Sequence, residues 1–198
     1  MSALLTAETL RDRLHRLVPP AESAETVAQM MQGMAAAVLV PIILDPAPRI
    51  LLTRRADHLR NHGGQVSFPG GRIDATDLSP ESAALREAWE EVGLDPGVVD
   101  IVGRLPLHET GTGFVVTPIV GLLPPGLILK PDAAEVSDLL SLPVSVLLDP
   151  AQPKRQRMRP PGSTDWRDFY VWPHDEHYIW GATAAILLSL ARWLRSEG

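Results

Sequence analysis

The sequence predicts an α/β protein in which a mixed β-sheet is covered by helices. Three observations carry this. Residues 35–44 and 113–123 are runs rich in valine, isoleucine and leucine, the pattern of buried strands. Residues 79–92 and 182–195 place apolar side chains at helical spacing. These elements alternate without a regular strand–helix–strand period, which argues against a doubly wound parallel sheet.

Residues 5–17 and 24–33 read as two short helices split by Pro19-Pro20. A strand follows at 35–44, then a turn at Asp45-Pro46-Ala47-Pro48, and residues 49–54 pair back as a second strand. Residues 66–68 form a short strand before a Pro69-Gly70-Gly71 turn. The helix at 79–92 has the clearest ends: Ser79 as N-cap, Pro80 at the first helical position and Gly93 as a left-handed stop. Residues 98–105 and 113–123 read as strands and 127–130 as a candidate strand. Residues 133–140 and 142–148 are candidate helical turns, with Pro143 near the start of the second. A basic, proline-containing loop at 154–161, a strand at 166–172 and a closing helix at 182–195 complete the chain. The whole is expected to be one domain, 1–198, with a helical extension at 1–33 and a core at 35–190.

The formal net charge of −6 excludes broad nucleic-acid binding through a basic surface. The absence of cysteine excludes disulfides, thiolate metal sites and cysteine nucleophiles. The longest apolar run, residues 34–44, is too short to cross a bilayer, and residues 4–17 pattern as an amphipathic helix and not as a signal sequence. A cytoplasmic protein with a small-molecule substrate is expected, with no nucleic-acid or membrane partner, as monomer or homodimer.

The chemistry is concentrated between residues 70 and 94. On a helix turning about 100° per residue, Leu85, Ala88, Trp89 and Val92 make one apolar face. Glu87, Glu90 and Glu91 fall within about 100° of arc and are expected on the opposite face. Three neighbouring carboxylates repel one another, and a divalent cation reverses the sign of that interaction. Oxygen ligands on a rigid element suit Mg²⁺ or Mn²⁺. For the helix alone, a solvated acidic face with Arg86 paired to Glu90 is an equal reading. Gly70-Gly71 lets backbone groups approach a metal or phosphate without obstruction.

With these residues in place the sequence resembles the Nudix hydrolases, whose signature is a glycine, a spaced glutamate and Arg-Glu-apolar-X-Glu-Glu-X-Gly-apolar. Arg86 to Leu94 matches the second half, with Ala88 as the apolar position. Asp77 stands where the spaced glutamate is expected, and one extra residue separates it from Arg86. The preceding segment is similar to the coenzyme A diphosphatase branch: Leu51, Leu52, Thr53, Arg55, Ala56, Arg60, Gly64, Phe68, Pro69, Gly70 and Gly71 fall in place, and the Asp74/Asp77 spacing fits that branch. Glu135-Val136 before Leu142-Pro143, and residues 179–184, extend the likeness to about residues 35–190.

The resemblance implies the Nudix fold, a mixed sheet sandwiched between helices. It also implies hydrolysis of the coenzyme A or acyl-coenzyme A diphosphate with Mg²⁺ or Mn²⁺. Glu87, Glu90 and Glu91, with the Gly71 carbonyl, are the implied metal ligands; Arg86 braces the glutamates, and Glu90 or Glu87 is the base. Arg54, Arg55 and Arg60, with Gly70 and Gly71, are candidates for substrate binding, since arginine forks suit phosphate. Arg54 has an alternative as a strand-end residue held by surface carboxylates. His58, His62, the basic loop 154–159, Glu109 and Glu135 are weaker candidates, and Trp180-Gly181 is expected to be core packing at a helix entry. Other nucleoside diphosphate derivatives, and a non-catalytic ligand-binding domain, are the competing readings.

Overall fold

The computed structural model describes residues 6–15, 34–159, 164, 166–174 and 176–196. The expected helix at 24–33 lies outside them, as does part of the expected extension. The elements are α1 (Ala7–Leu14), β1 (Ala35–Ile43), β2 (Arg49–Arg55), β3 (Val66–Ser67), β4 (Gly70–Arg72) and α2 (Pro80–Val92). Then come β5 (Asp100–Arg104), β6 (His108–Glu109), β7 (Val115–Leu123), β8 (Val136–Pro143), α3 (Val144–Leu148), β9 (Lys154–Met158), β10 (Arg167–Val171) and α4 (Gly181–Ser196).

The main sheet is mixed. β1 and β7 run parallel through nine aligned pairs, from Ala35↔Val115 to Ile43↔Leu123, and the other pairings are antiparallel. β2 pairs with β8 along one edge and with β1 and β3 along the other. β1 meets β2 only at Ile42↔Ile50 and Ile43↔Arg49. Beyond that point the two strands part, and residues 66–72 fill the gap. β3 pairs with β2 at Thr53 and Arg54, the Pro69 carbonyl accepts from Leu39 N–H at 2.9 Å, and β4 pairs with β1 at Ala36–Val38. The Pro69-Gly70-Gly71 segment, expected as a turn, is therefore a strand wedged into the sheet. Gly70 has φ +152, and a Cβ there would sit 2.4 Å from the Ala37 carbonyl oxygen, so the close approach of β4 to β1 requires glycine.

Side chains alternate between two cores, as a sheet covered on both faces demands. Val40, Ile42, Ile50, Leu52, Val120 and Leu122 join α1, α3 and α4; Leu39, Ile43, Leu51, Ile119 and Leu123 join α2. This is the sandwich expected from sequence. α1 is anchored by fully buried Leu10 and Leu14 and by Arg13, which donates to the Leu194 carbonyl at 3.0 Å.

Three local expectations are corrected. Residues 127–130 form no strand: Lys130 and Asp132 donate their N–H groups to the Val92 and Glu91 carbonyls at 2.9 Å, closing the C-terminus of α2. Residues 133–135 turn, but 136–143 extend as β8 because β2 offers it a free edge. The basic segment expected as a loop forms β9, a hairpin strand paired with β10 from Lys154↔Val171 to Met158↔Arg167. Its side chains are exposed, so its hydropathy gave no strand signal. Among the described residues no helix is long and apolar enough to cross a membrane.

Candidate active site

α2 is built as expected at both ends. Ser79 and Ser82 form a reciprocal capping box, Pro80 opens the helix and Gly93 ends it at φ +66. Its phase is not as expected. The buried face is Ala83, Ala84, Ala88, Val92 and Glu91, while Trp89 is 55% exposed. Three alanines bring the helix close to β1 and β4. Glu91, expected opposite the apolar face, lies within it, its side chain 4% exposed.

The three glutamates meet different surroundings. Glu91 Oε2 accepts from Gly70 N–H at 3.3 Å, and Arg55 Nη1 stands 3.7 Å from Oε1. Burial pushes its pKa up to about 7; the Gly70 N–H and Arg55 oppose that shift, and Glu135 and Glu87 add to it. The Glu87 carboxylate lies across Gly71, where a Cβ would come within 2.6 Å of it. Burial raises its pKa too; Arg86 opposes the rise and Glu90 and Glu135 reinforce it. Glu90 is the outermost, its side chain 55% exposed.

Arg86 organises the group. Nη1 donates to Glu87 Oε1 at 2.9 Å and to Glu90 Oε2 at 3.1 Å. Nε and Nη2 grip both oxygens of Asp77 at 3.1 and 2.9 Å, and Nη2 also donates to the Arg72 carbonyl at 3.1 Å. Asp77 is nearly buried, with a 5% exposed side chain. Its hydrogen bonds to Arg86 hold the carboxyl below the usual carboxylate range, against the upward pull of burial. The aspartate at the spaced-glutamate position is thus the anchor of the brace, tied in turn to Asp74 N–H at 2.8 Å.

These carboxylates supply hard oxygen donors around the glycine wedge, and the repulsion among Glu87, Glu90, Glu91 and Glu135 is the kind a divalent cation relieves. The donor chemistry fits, but the cage is not preassembled: among the described residues no three acidic or imidazole side chains converge to hold an ion as they stand.

The arginines divide. Arg55 reaches the acidic group and also lines a cleft of about 400 Å³ of mixed character, with His62, Gln65, Val66, Ser67, Thr112 and Trp180 among its walls. Arg54 donates to Ser137 Oγ at 3.0 Å and to Asp57 Oδ1 at 2.6 Å. Arg60 and His58 are exposed in the β2–β3 loop. His62, at φ +61, lies 3.0 Å from Gln65 Oε1 through Nδ1. Trp180 is not core: it is 37% exposed, edge-on to Phe169, and forms a wall between this cleft and a second one of about 530 Å³. The turn Thr110-Gly111-Thr112, which lines this cleft, escaped the sequence reading; its only signal is a small, polar run between two strands.

Residues 33–163 match the NUDIX domain profile. The chain belongs to the Nudix family. It is 43% identical over 179 residues to a Salmonella typhimurium protein named "Uncharacterized Nudix hydrolase NudL", covering 89% of this Nudix chain and 88% of that relative; the Salmonella typhi protein gives the same figures. A Nudix hydrolase from M. smegmatis, RenU, aligns over 56% of this chain and 71% of its own, with 24% identity and a TM-score of 0.48. An Ap4A hydrolase from C. elegans aligns over 56% and 80%, with 19% identity and a TM-score of 0.48. The protein is accordingly a Nudix hydrolase, an enzyme of the pyrophosphohydrolase type, and Nudix hydrolases generally use divalent metals such as Mg²⁺ or Mn²⁺.

Proposed function

We propose that this enzyme hydrolyses the diphosphate of coenzyme A and its acyl derivatives, giving 3′,5′-ADP and 4′-phosphopantetheine or its acyl form. The observation that carries the reading is the position of Arg55, 3.7 Å from Glu91 and in the wall of the 400 Å³ cleft. An arginine from the coenzyme A-type segment thereby joins the acidic helix to a space able to take a phosphorylated ligand.

Arg55 offers its fork to a diphosphate oxygen, and Gln65 and Thr112 in the same wall are polar groups for ribose or phosphate, whereas the Thr110 and Thr183 hydroxyls already bond the Phe114 and Val66 carbonyls at 3.2 and 2.9 Å. Glu87, Glu90 and Glu91, with the Gly71 carbonyl, would hold Mg²⁺ or Mn²⁺, which supplies charge neutralisation and an acidified water. Arg86 fixes the carboxylates Glu87 and Glu90 in place, with Asp77 fixing Arg86. Glu90 and Glu87 are the candidates for the base; Arg86 engages Oε2 of Glu90 and Oε1 of Glu87, so Oε1 and Oε2 respectively are the atoms to receive the proton. Arg60 and Arg54 stand further along the same segment, Arg54 already paired with Asp57.

A substrate panel tests this. Coenzyme A is expected to turn over faster than ADP-ribose or NADH in the presence of Mg²⁺ or Mn²⁺, and hydrolysis in ¹⁸O-water to label one product phosphate. Faster turnover of ADP-ribose or NADH overturns the substrate assignment.

A further inference from the structure

We propose that His62 is a specificity-determining residue of the cleft that Arg55 lines, its Nε2 accepting a hydrogen bond from a substrate hydroxyl a few bonds from the diphosphate. The choice of ligands for the test rests on the coenzyme A reading above. The acceptor itself rests on the loop that carries it.

His62 belongs to the loop between β2 and β3. Two backbone bonds close its neck: Arg55 N–H donates to the Gln65 carbonyl at 2.9 Å, and Gly64 N–H to the Arg55 carbonyl at 3.0 Å. The interior is filled by backbone, since a Cβ at Gly63 would stand 2.7 and 2.9 Å from the Asp57 and Leu59 carbonyl oxygens. Ala56 N–H donates to the Glu135 carbonyl at 2.8 Å and ties the loop to the residue ahead of β8. A loop closed and filled in this way has little freedom to rearrange. Within it His62 is held at φ +61, a left-handed conformation that costs a side-chain-bearing residue free energy. No other described residue except glycine has a positive φ.

With its backbone so held, the His62 ring lines the same cleft as Arg55. Gln65 Oε1, 3.0 Å from Nδ1, can only accept, so Nδ1 carries a hydrogen. A neutral ring then presents Nε2 as an acceptor, and no described residue is bonded to it. Other hydroxyls of the wall are already engaged. Thr183 donates to the Val66 carbonyl at 2.9 Å, Thr110 to the Phe114 carbonyl at 3.2 Å, and Ser67 Oγ lies 3.0 Å from Thr53 Oγ1. The cleft thus pairs a donor fork for an anion with a ring acceptor for a hydroxyl. A phosphate ester of a hydroxylated carbon chain carries both complements. Coenzyme A has that pattern on each side of its diphosphate, in the ribose and in the pantoyl unit.

The experiment measures kcat and KM for coenzyme A with Mg²⁺, and the inhibition constants of 3′,5′-ADP and 4′-phosphopantetheine, for wild type, His62→Asn and His62→Gln. Asparagine tolerates the left-handed backbone and sets its amide near the Nδ1 position, so it keeps the loop and lacks the outer acceptor. Glutamine reaches the Nε2 position. KM is expected to rise about tenfold in His62→Asn with kcat within twofold, the loss of one hydrogen bond made equally in ground and transition states. His62→Gln is expected to recover at least threefold of that loss. The inhibition constant of 3′,5′-ADP alone should rise if the hydroxyl is on the ribose, and that of 4′-phosphopantetheine alone if it is on the pantoyl unit. A KM changed less than threefold in His62→Asn, or a glutamine variant no better than asparagine, overturns the assignment. Equal rises in both inhibition constants, as a loop that merely displaces Arg55 would give, also overturn it. If the wild type turns over ADP-ribose faster than coenzyme A, the coenzyme A reading falls, and the same comparison with AMP and ribose 5-phosphate decides the role of His62.

Discussion

The buried Glu91 carboxylate should make the metal-free enzyme less stable as pH rises, and Glu91→Gln should remove that penalty. The side chain is 4% exposed, and burial raises its pKa from an ordinary 4.5 to about 7. A raised acid holds its proton more tightly in the folded chain. The group therefore costs nothing below pH 4.5, costs progressively more between 4.5 and 7, and bears its full cost above about 7. A shift of about 2.5 units corresponds to about 3 kcal/mol, or about 6–12 °C in Tm for a chain of this size.

Glutamine keeps an oxygen to accept from Gly70 N–H, so the substitution removes the charge with little change of shape. Thermal unfolding in EDTA from pH 4.5 to 8 should show the variant and wild type coinciding at the acid end. The variant should be more stable at pH 8 by up to about 3 kcal/mol. Adding Mg²⁺ should raise the wild-type Tm by ligand linkage and move the variant much less. A variant less stable than wild type at pH 8 in EDTA, or a difference independent of pH, would refute the argument that burial of this charge is what matters.

Gly71→Ala places a methyl within 2.6 Å of the Glu87 carboxylate; because that carboxylate ends a flexible side chain, circular dichroism should report an intact fold while kcat falls by about 100-fold, the order of one lost electrostatic contact. Arg86→Ala leaves the nearly buried Asp77 without its bidentate partner, and urea unfolding at pH 7 should show a loss of about 3 kcal/mol. Because the Asp77 pKa is depressed, its contribution is present above its ordinary value of 3.8 and lost as pH falls through the lower folded one; the wild type should therefore lose more stability than Arg86→Ala on acidification below pH 4. Thr117→Val replaces a fully buried hydroxyl that has no hydrogen-bond partner among the described residues, so chemical denaturation should show a gain of about 1 kcal/mol, and a loss would mean the hydroxyl is satisfied by bound water.

Much of this architecture was legible because it follows from local chemistry. The two-sided burial of β1, β2 and β7 comes from near-continuous apolar runs, and the limits of α2 from Ser79, Pro80 and Gly93. What was not legible depends on partners distant in sequence. β9 became a strand because β10 stands opposite it, and residues 127–130 became a helix stop because the last carbonyls of α2 needed donors. The wedge of β4 between diverging strands has no local signal either, since Gly70 and Gly71 serve a turn and a close-packed strand equally well.

The phase of α2 shows why site residues defeat a pattern that works elsewhere. Leu85, Ala88, Trp89 and Val92 satisfy helical spacing, yet Glu91, about 160° around the helix from Trp89, is the residue turned inward. The amphipathic rule assumes that whatever the helix packs on is apolar. Here the floor is the glycine wedge, which presents the Gly70 N–H and leaves room for the Glu87 carboxylate over Gly71. Such a floor favours small and acidic side chains, so alanines bring the helix close and a glutamate is buried while the tryptophan is left in solvent. A stability rule is broken at one place, by a residue whose charge is costly where it is buried, and local conflicts of this kind are expected where a chain holds its chemistry. The misassigned face of α2 is therefore itself an argument that Glu91 is kept for function, independent of any resemblance between this helix and others.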